Sequence, residues 1–278
     1  MTYSKDLKMF RKTIWDFYRD HRRDLPWRPP LLRLRKDGTV FDPYRVYVSE
    51  IMLQQTQVSR VLQKYPKFIE AFPNFNVLAR APLREILRVW QGMGYNRRAL
   101  AMKKAAELVV RNHEGVLPRQ PELLMALPGI GPATAGSIAT FAFNHPSVFI
   151  ETNIRRVFLH HFFPTTSSVS DEELVKLVAA ALPRSRAREW YSALMDYGTV
   201  LSKRVPNPNQ RSKHYAKQSP FVGSNRQIRG SLLRILSKKP HTLQSLQRHF
   251  SSDVRLRENI GTLRKEGFIK QHKSLYYL

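Results

Sequence analysis

The amino-acid sequence predicts an all-α protein that contains a helix-hairpin-helix motif and ends in a small α+β module of the winged helix-turn-helix type. Three observations support this prediction. Apolar residues recur at helical spacing through most of the chain before residue 203. Proline and glycine interrupt this pattern at Leu127–Gly131, and residues 268–277 alternate like a pair of strands.

The hairpin lies within residues 121–143. Pro128 ends the first helix, Gly129 and Gly131 allow a tight turn, and Pro132 suits the first turn of the second helix. Amide groups at the start of that helix would favour a phosphate, so the motif indicates binding to a DNA backbone without contacts to the bases. The alternative is an ordinary turn between two packed helices.

Charge and composition point to a polyanionic partner. The 278 residues include 47 Lys and Arg against 21 Asp and Glu, a formal charge of +26, which is repulsive within a compact fold. A generally basic, solvated surface is the alternative. The length suggests about two domains. Because the chain has no cysteine, disulfides and cysteine-ligated zinc or iron–sulfur sites are excluded, and we expect neither a metal nor a cofactor.

The N-terminal residues form no apolar signal core, and no apolar run approaches the roughly 20 residues of a membrane span. We therefore expect an intracellular protein, cytoplasmic or nucleoid-associated, with no membrane segment.

Helices are predicted in order along the chain. Asp42 and Pro43 are typical of a helix start, which predicts one long helix from there to about Phe68. A basic, proline-rich link from Leu25 to Gly38 precedes it. The other helices are predicted at residues 4–22, 74–80, 82–91, 97–112, 171–182 and 186–201.

Two polar residues of the long helix are candidates for function. Glu50 lies among apolar neighbours that could raise the pKa of its carboxyl by desolvation. Gln55 occupies a position where a core helix would place an apolar side chain. The alternative for Glu50 is a solvated surface glutamate.

Further candidates lie in two turns. The segment 91–98 presents Tyr95 beside Arg97, a combination suited to stacking on a base next to a held phosphate; a core tyrosine after a helix cap is the alternative. Glu151 precedes a new helix for which Thr152 or Asn153 is the predicted cap, and the positive end of that helix would favour an ionised carboxylate.

The C-terminal region differs in composition. A polar tract from Pro206 to Ser224 is predicted to be a linker, and helices at 226–237, 242–250 and 253–266 precede the strand pair. From Lys203 onward there are 17 basic and 3 acidic side chains, so about half of the net charge lies here. DNA binding is the preferred interpretation, and a protein-docking module is the alternative.

Five motifs together resemble the MutY-type adenine DNA glycosylases of the helix-hairpin-helix, endonuclease III superfamily. The resemblance covers roughly residues 8 to 202, and the string Ser-Glu-Ile-Met-Leu-Gln-Gln-Thr is its specific part. The motifs, in chain order, are Leu25–Arg28, Ser49–Val58, Trp90–Tyr95, Leu127–Gly131 and Asn153–Val157.

The resemblance implies a DNA glycosylase fold with two helical subdomains and a function in base excision repair. Adenine mispaired with guanine or 8-oxoguanine would be flipped out of double-stranded DNA and released by hydrolysis of its N-glycosidic bond. Glu50 would protonate the adenine, and Glu151 would stabilise the oxocarbenium-like sugar or capture it covalently; Asn153 is a further predicted catalytic residue. From the residues themselves, we expect the pKa values of the two carboxyls to be shifted apart.

The resemblance also implies which residues bind the substrate. Tyr95 and one of Gln54 or Gln55 match groups that wedge into the base stack. Ala133 stands where bifunctional relatives carry a lysine nucleophile, so no lyase activity is expected. The predicted DNA-binding residues are Arg28, Gln54, Gln55, Thr56, Tyr95, Arg97, Gly129, Ile130, Gly131, Ala133 and Thr134, and the predicted base pocket is Trp27, Leu53 and Ser192.

The sequence departs from the family pattern in four places. Glu151 is one methylene longer than the usual aspartate, and Ser192 replaces a Glu or Gln that often contacts adenine. The four cluster-binding cysteines expected after about residue 200 are absent, and a short basic module stands in place of the NUDIX-like C-terminal domain. The iron–sulfur cluster is therefore predicted to be absent.

Two alternative functions stay open: a glycosylase of the same fold for another base, such as thymine, uracil or hypoxanthine, and a non-catalytic DNA-binding protein. We expect a monomer and identify no protein partner. The predicted domains are 1–224, the glycosylase domain, and 225–278, the basic winged-helix-like domain. Within the first, 28–143 would form the helical barrel subdomain with the hairpin, 1–27 plus 144–205 the second subdomain, and 206–224 the linker.

Overall fold

The computed structural model describes residues 3–28, 42–216, 220–251 and 253–278. These residues are mostly helical and form two compact units. The first unit comprises the described residues of 1–50 and 130–217 together with Pro118–Ala126, and the second comprises Ile51–Leu117, Leu127–Gly129 and the described residues of 218–278. These units divide the chain at other places than the predicted domain boundaries, which remain a prediction.

The first unit is helical. A core of buried aromatic and aliphatic side chains joins its helices, with Phe10, Phe158 and Trp190 in ring contact at its centre. Its helices are α1 (Tyr3–His21), most of α2 (Pro43–Leu53), α7 (Pro121–Met125), α8 (Pro132–Phe143), α9 (Thr152–Phe162), α10 (Asp171–Ala181) and α11 (Ala187–Arg204), with 3-10 turns at Arg184–Arg186 and Pro208–Arg211.

The second unit contains the remaining helices and a small sheet. Its helices are α3 (Val58–Ala71), α4 (Phe75–Arg80), α5 (Leu83–Val89), α6 (Arg97–His113), α12 (Asn225–Leu236), α13 (Leu243–His249) and α14 (Leu256–Lys265), and its strands are β1 (His241–Thr242), β2 (Lys270–His272) and β3 (Leu275–Tyr277). The strands are antiparallel in the order β1-β3-β2, with His241 opposite Tyr276 and Gln271 opposite the same residue on the other side.

The prediction of the C-terminal module is confirmed. Its elements follow the order α–β–α–α–β–β, and the Thr242 hydroxyl caps α13 by accepting a hydrogen bond from the Ser245 amide at 3.2 Å. Strand β1 was not predicted, because a strand of two residues is too short to produce an alternating pattern.

The predicted single helix from Asp42 to about Phe68 is wrong. Asp42 does accept the Tyr44 amide at 2.9 Å, as expected at a helix start. However, α2 ends at Leu53 and α3 begins at Val58. The interruption is stabilised by the buried guanidinium of Arg98, which donates to the carbonyls of Ile51 and Met52 at 3.0 and 2.8 Å and thereby satisfies the end of α2.

Other predictions have mixed outcomes. The helices predicted between residues 74 and 201 are present with small shifts at their ends. The predicted linker from Pro206 is ordered in its first part, where Arg211 donates to the carbonyls of Pro164 and Leu159 at 2.6 and 3.2 Å. The part of the Leu25–Gly38 link from Pro29 onward lies outside the described residues. None of the helices that the structure describes combines the length and apolar character needed to cross a bilayer.

Candidate active site

Glu50 lies in α2 directly after the buried Ser49, and its side chain is half-buried. Its carboxyl is within hydrogen-bonding reach of Ser137, which α8 contributes. The Ser137 hydroxyl also donates to the Thr134 carbonyl at 2.9 Å. A serine has one hydroxyl proton, so Ser137 can donate it either to the Thr134 carbonyl or to an ionised Glu50, and its oxygen can accept a hydrogen bond when Glu50 is protonated.

The pKa of Glu50 is raised to about 7, chiefly because burial disfavours the charged form. The negative charge of Glu151 raises this pKa further, whereas the Ser137 hydrogen bond and the positive charge of Arg28 lower it. Near neutral pH a substantial fraction of Glu50 therefore carries a proton that it can donate.

Glu151 caps the N-terminus of α9. Its Oε1 accepts the amide protons of Asn153 and Ile154 at 2.8 and 3.0 Å, and its Oε2 accepts from the Asn153 side chain at 3.3 Å. The cap is therefore Glu151 itself. The sequence-based prediction that Thr152 or Asn153 caps the helix is wrong. These three bonds fix the carboxylate in one orientation.

The pKa of Glu151 is raised, like that of Glu50, whereas the sequence predicted that the helix terminus would favour the ionised form of Glu151. For Glu151 the largest cause is burial, which raises its pKa; the amides of Ile154 and Asn153 and the charge of Arg156 lower it by a smaller amount. The sequence suggested the helix terminus but gave no measure of the burial that outweighs it. A positive charge that develops close to Glu151 would lower the pKa of its carboxyl and favour the ionised form.

Asn153 links the cap to α11. Its Oδ1 accepts from Arg156 at 2.6 Å, and the same Arg156 nitrogen donates to the Gly198 carbonyl at 3.0 Å. A Cβ at Gly198 would lie 2.8 Å from Asn153, so a glycine is needed where α9 and α11 approach. Asn153 thus holds Glu151 in place and is itself held.

Arg28 does not have the environment predicted for a DNA-binding residue. Its guanidinium forms an ion pair of 2.8 Å with Asp196, and both side chains are buried. Arg23 donates to the same Asp196 at 2.6 Å. Arg28 is held inside the first unit, where its charge acts on Glu50, and its assignment as a DNA-binding residue stays a prediction. Trp27 and Ser192, predicted for the base pocket, are also buried.

The hairpin has the predicted turn. Gly129 has φ +81°, and a Cβ there would lie 2.7 Å from the Ala101 side chain, so the position requires glycine. Gly131 caps α8, whose first residues Pro132 and Ala133 are exposed. The Ile130 side chain is buried, so only its backbone can face a ligand. Thr134 is partly exposed and offers its carbonyl to Ser137.

Two residues predicted to wedge into DNA have left-handed backbone conformations: Gln55 at φ 51° and Tyr95 at φ 47°. Such conformations are costly for residues other than glycine and are concentrated at functional sites. Gln55 is exposed in the turn between α2 and α3, and Tyr95 is partly exposed before α6.

Arg98 contacts Tyr95 itself and the residues on either side of Gln55. Its guanidinium donates to the carbonyl of Gln54 and, at 2.9 Å, to the hydroxyl of Thr56, and it lies over the Tyr95 ring at 5.4 Å. The Gln54 amide donates to the Gly129 carbonyl at 3.3 Å. Arg97 is exposed and pairs with Glu266, and Leu53 is partly exposed at the end of α2.

The predicted site residues therefore fall into two groups. The first unit brings together Glu50, Glu151 and Asn153, and the second holds Gln54, Gln55, Thr56, Tyr95 and Gly129. Sequence reasoning missed Ser137, Arg98 and Asp196. A buried serine or aspartate inside a helix leaves no periodic signal, and nothing in the sequence of the segment 91–98 distinguishes the buried Arg98 from the exposed Arg97.

Comparisons with known proteins show which proteins this chain is similar to. Residues 48–182 match the family described as HhH-GPD superfamily base excision DNA repair protein. The chain is 32% identical over 277 residues to the adenine DNA glycosylase of Mycolicibacterium smegmatis, covering 93% of this chain and 92% of that protein.

A second relative and one solved structure show how far the similarity extends. The adenine DNA glycosylase of Buchnera aphidicola subsp. Baizongia pistaciae is 35% identical over 195 residues; the match covers 69% of this chain but only 53% of that protein's length. The structure of a thermostable thymine-DNA glycosylase aligns with a TM-score of 0.61 and 26% identity, covering 72% of this chain and 89% of the other.

Proposed function

Because this chain belongs to the adenine DNA glycosylase family of helix-hairpin-helix base excision repair proteins, we propose that it releases adenine mispaired with guanine or 8-oxoguanine from duplex DNA. The observation that carries the proposal is Glu50, a carboxyl whose pKa is raised to about 7 beside a second, firmly held carboxyl. Such a pair supplies an acid for the leaving base and an anion for the sugar.

The reaction uses the two carboxyls in sequence. Protonated Glu50 donates its proton to a ring nitrogen of the flipped adenine, and the bond between that base and C1′ breaks, its electron pair leaving with the adenine. The sugar that remains carries positive charge. Glu151, held by the Asn153 and Ile154 amides, is the anion that stabilises it. Addition of water with loss of a proton then gives the abasic site.

We expect hydrolysis without strand cleavage. Lyase chemistry by a Schiff base requires an amine nucleophile, and Ala133, the residue at the start of α8, has none. The chain is proposed to act as a monomer on double-stranded DNA.

We also propose that the protein works without an iron–sulfur cluster. A sequence with no cysteine offers no thiolate ligand for such a cluster. The segment after α11 is instead attached to α9 by side chains: Asn209 donates to the Thr152 carbonyl at 3.2 Å, and Arg211 donates to those of Pro164 and Leu159. Purified protein should lack cluster absorbance, and chelators should leave its melting unchanged. Stoichiometric iron would contradict the proposal.

The experiment that tests the function is a panel of duplexes, each with one mispair or lesion, scored for abasic product. We expect product from A·8-oxoguanine and A·G pairs. The panel includes G·T, G·U and hypoxanthine pairs because the chain is similar to a thymine-DNA glycosylase. Product from G·T alone would replace adenine by thymine as the substrate, and no product from any duplex would favour the non-catalytic alternative.

A further inference from the structure

The C-terminal module is attached to the helices of the second unit by a set of side-chain contacts. Arg84 on α5 donates to the carbonyls of Ser237 and Lys238 at 2.7 and 2.6 Å, where α12 ends. Gln91 donates to the Ser237 hydroxyl at 3.2 Å. These bonds satisfy the carbonyl end of α12, where positive groups are favoured. The module is therefore docked and not merely tethered by the chain.

An ion-pair cluster completes this attachment. Glu266, directly after α14, accepts hydrogen bonds from Arg97, the first residue of α6, and from Arg229 on α12, each at 2.5 Å. Its side chain is 18% exposed. Two guanidiniums around one carboxylate leave an excess of positive charge at this place.

A cleft of roughly 1280 Å³ lies within the second unit, between the module and the two turns that carry Gln55 and Tyr95. Its lining includes five arginines, against one carboxylate, that of Glu258. The arginines are Arg60, Arg97, Arg226, Arg229 and Arg234. A concave surface with this charge favours a polyanion over a neutral ligand.

Gln55 and Tyr95, two of the residues with left-handed backbone, line this cleft, and Tyr95 contacts the module directly. Arg226, in the first turn of α12, donates to the Tyr95 hydroxyl at 3.2 Å and to the Pro220 carbonyl at 3.2 Å. The Tyr95 side chain is thereby held at two places: Arg98 lies over the face of its ring, 5.4 Å from the centroid, and Arg226 binds its hydroxyl. An aromatic ring so fixed beside arginines is suited to stacking on a nucleic-acid base.

Gly230 is a further feature of the lining. It lies in the interior of α12, where a glycine lowers helix stability relative to alanine. A Cβ at Gly230 would contact no heavy atom of the described residues within 4 Å beyond its own helix and chain neighbours. The packing within the unit therefore does not require this glycine, and its effect is to leave the cleft wall open at that point.

We propose that this cleft is a second DNA-binding surface, which holds the duplex beside the mispair, and that Arg226 is a positioning residue for Tyr95. Through this contact the C-terminal module governs how Tyr95 enters the base stack and thus how strongly a mispair is preferred over a matched pair. The inference rests on the proposed function for the choice of a mispaired duplex as the ligand, whereas the cleft itself is defined by its lining residues and their charge.

The first test uses salt dependence, with the full chain and a short duplex that contains one A·8-oxoguanine pair. Each phosphate contact contributes about −0.9 to the slope of log K against log salt. Arg234→Ala should therefore make the slope shallower by about that amount. Arg248→Ala is the matched control, because Arg248 is exposed on the same module but does not line the cleft. Equal slopes for both variants and the unaltered protein would overturn the proposal that the cleft binds DNA.

The second test separates positioning from general stability. Arg226→Ala and Tyr95→Phe should each lower the preference for the mispaired over the matched duplex by about three- to tenfold, and the double variant should be no worse than either. Fluorescence of a 2-aminopurine next to the mispair should report less unstacking in all three. Additive losses, or unchanged fluorescence, would show that Arg226 does not act through Tyr95.

A third pair of variants covers the case in which Arg226→Ala does not fold. Gly230→Leu should obstruct the cleft and weaken duplex binding, whereas Gly261→Leu, also in a helix interior with open space at its Cβ but not in the lining, should not. Equal binding by both would overturn the proposal. All of these measurements are of binding, so they can be interpreted even if the duplex panel shows a different excised base.

Discussion

The carboxyl site of the first unit and the arginine cleft of the second unit use opposite physical means. Around Glu50 and Glu151, burial raises both pKa values, and each carboxyl is fixed by hydrogen bonds. Around Gln55 and Tyr95, the side chains are exposed or partly exposed, and the backbone is strained. The proposed chemical step thus depends on removing water from the two carboxyls, whereas the proposed DNA binding depends on keeping cations accessible. Substitutions in the two regions should therefore affect different observables.

The largest effect is expected for Glu50→Gln. An amide keeps the shape of the side chain but cannot donate an acidic proton, so single-turnover release of adenine should fall by at least about 10²- to 10⁴-fold. Duplex affinity should stay within a few fold. The matched control is Glu122→Gln, an exposed glutamate of the same unit. Retained excision in the Gln variant would remove Glu50 from the role of acid.

The next largest effect is expected at Glu151. Glu151→Gln removes the anion and should lower the rate by about 10²-fold, whereas Glu151→Asp retains a carboxylate and should stay within about tenfold of the unaltered protein. Both can still accept hydrogen bonds from the α9 amides. Ser170→Ala, which breaks the cap of α10, controls for loss of a helix cap without loss of the anion. If Glu151→Asp were slower than Glu151→Gln, the length of the side chain, and not its charge, would be essential.

The raised pKa of Glu50 predicts how rate depends on pH. Proton donation requires the neutral acid, so kcat/KM should decline above pH 7, tenfold per pH unit. A rate that rises steadily from pH 6 to pH 9 would contradict the assignment.

The same shift predicts a stability difference with a defined sign. Because the pKa in the folded state, about 7, exceeds the ordinary value of 4.5, ionisation of Glu50 opposes folding. This penalty is absent below pH 4.5, grows up to about pH 7 and is constant above. Glu50→Gln should therefore melt a few degrees higher than the unaltered protein at pH 8, corresponding to about 1–3 kcal/mol, with the advantage vanishing near pH 4.5. A constant difference across this range would mean that Glu50 is ionised without cost.

The smallest effect concerns the segment after α11. Arg211→Ala removes two hydrogen bonds to carbonyls and should destabilise the first unit by about 1–3 kcal/mol, measured as a lower Tm, with little change in single-turnover rate at a temperature where the variant is folded. Lys203→Ala, an exposed neighbour in sequence, should change neither quantity. Equal melting of both variants would show that this segment contributes no stability.

The sequence by itself determined the class of fold and predicted which groups react. The 3.6-residue period of apolar side chains, the Pro128–Gly131 turn and the caps at Asp42 and Thr242 are local effects, so they can be read without the neighbours. The string around Glu50 and the charge of +26 indicated an acid and a polyanionic substrate for the same reason.

Only the tertiary structure decided what surrounds those groups. The break between α2 and α3 depends on Arg98, which is more than 40 residues away along the chain, and the pairing of Arg28 with Asp196 joins residues 168 apart. Burial of Glu151, and with it the direction of its pKa shift, depends on packing that no local pattern encodes. Desolvation and long-range hydrogen bonds are properties of neighbours in space, and the sequence lists neighbours only along the chain.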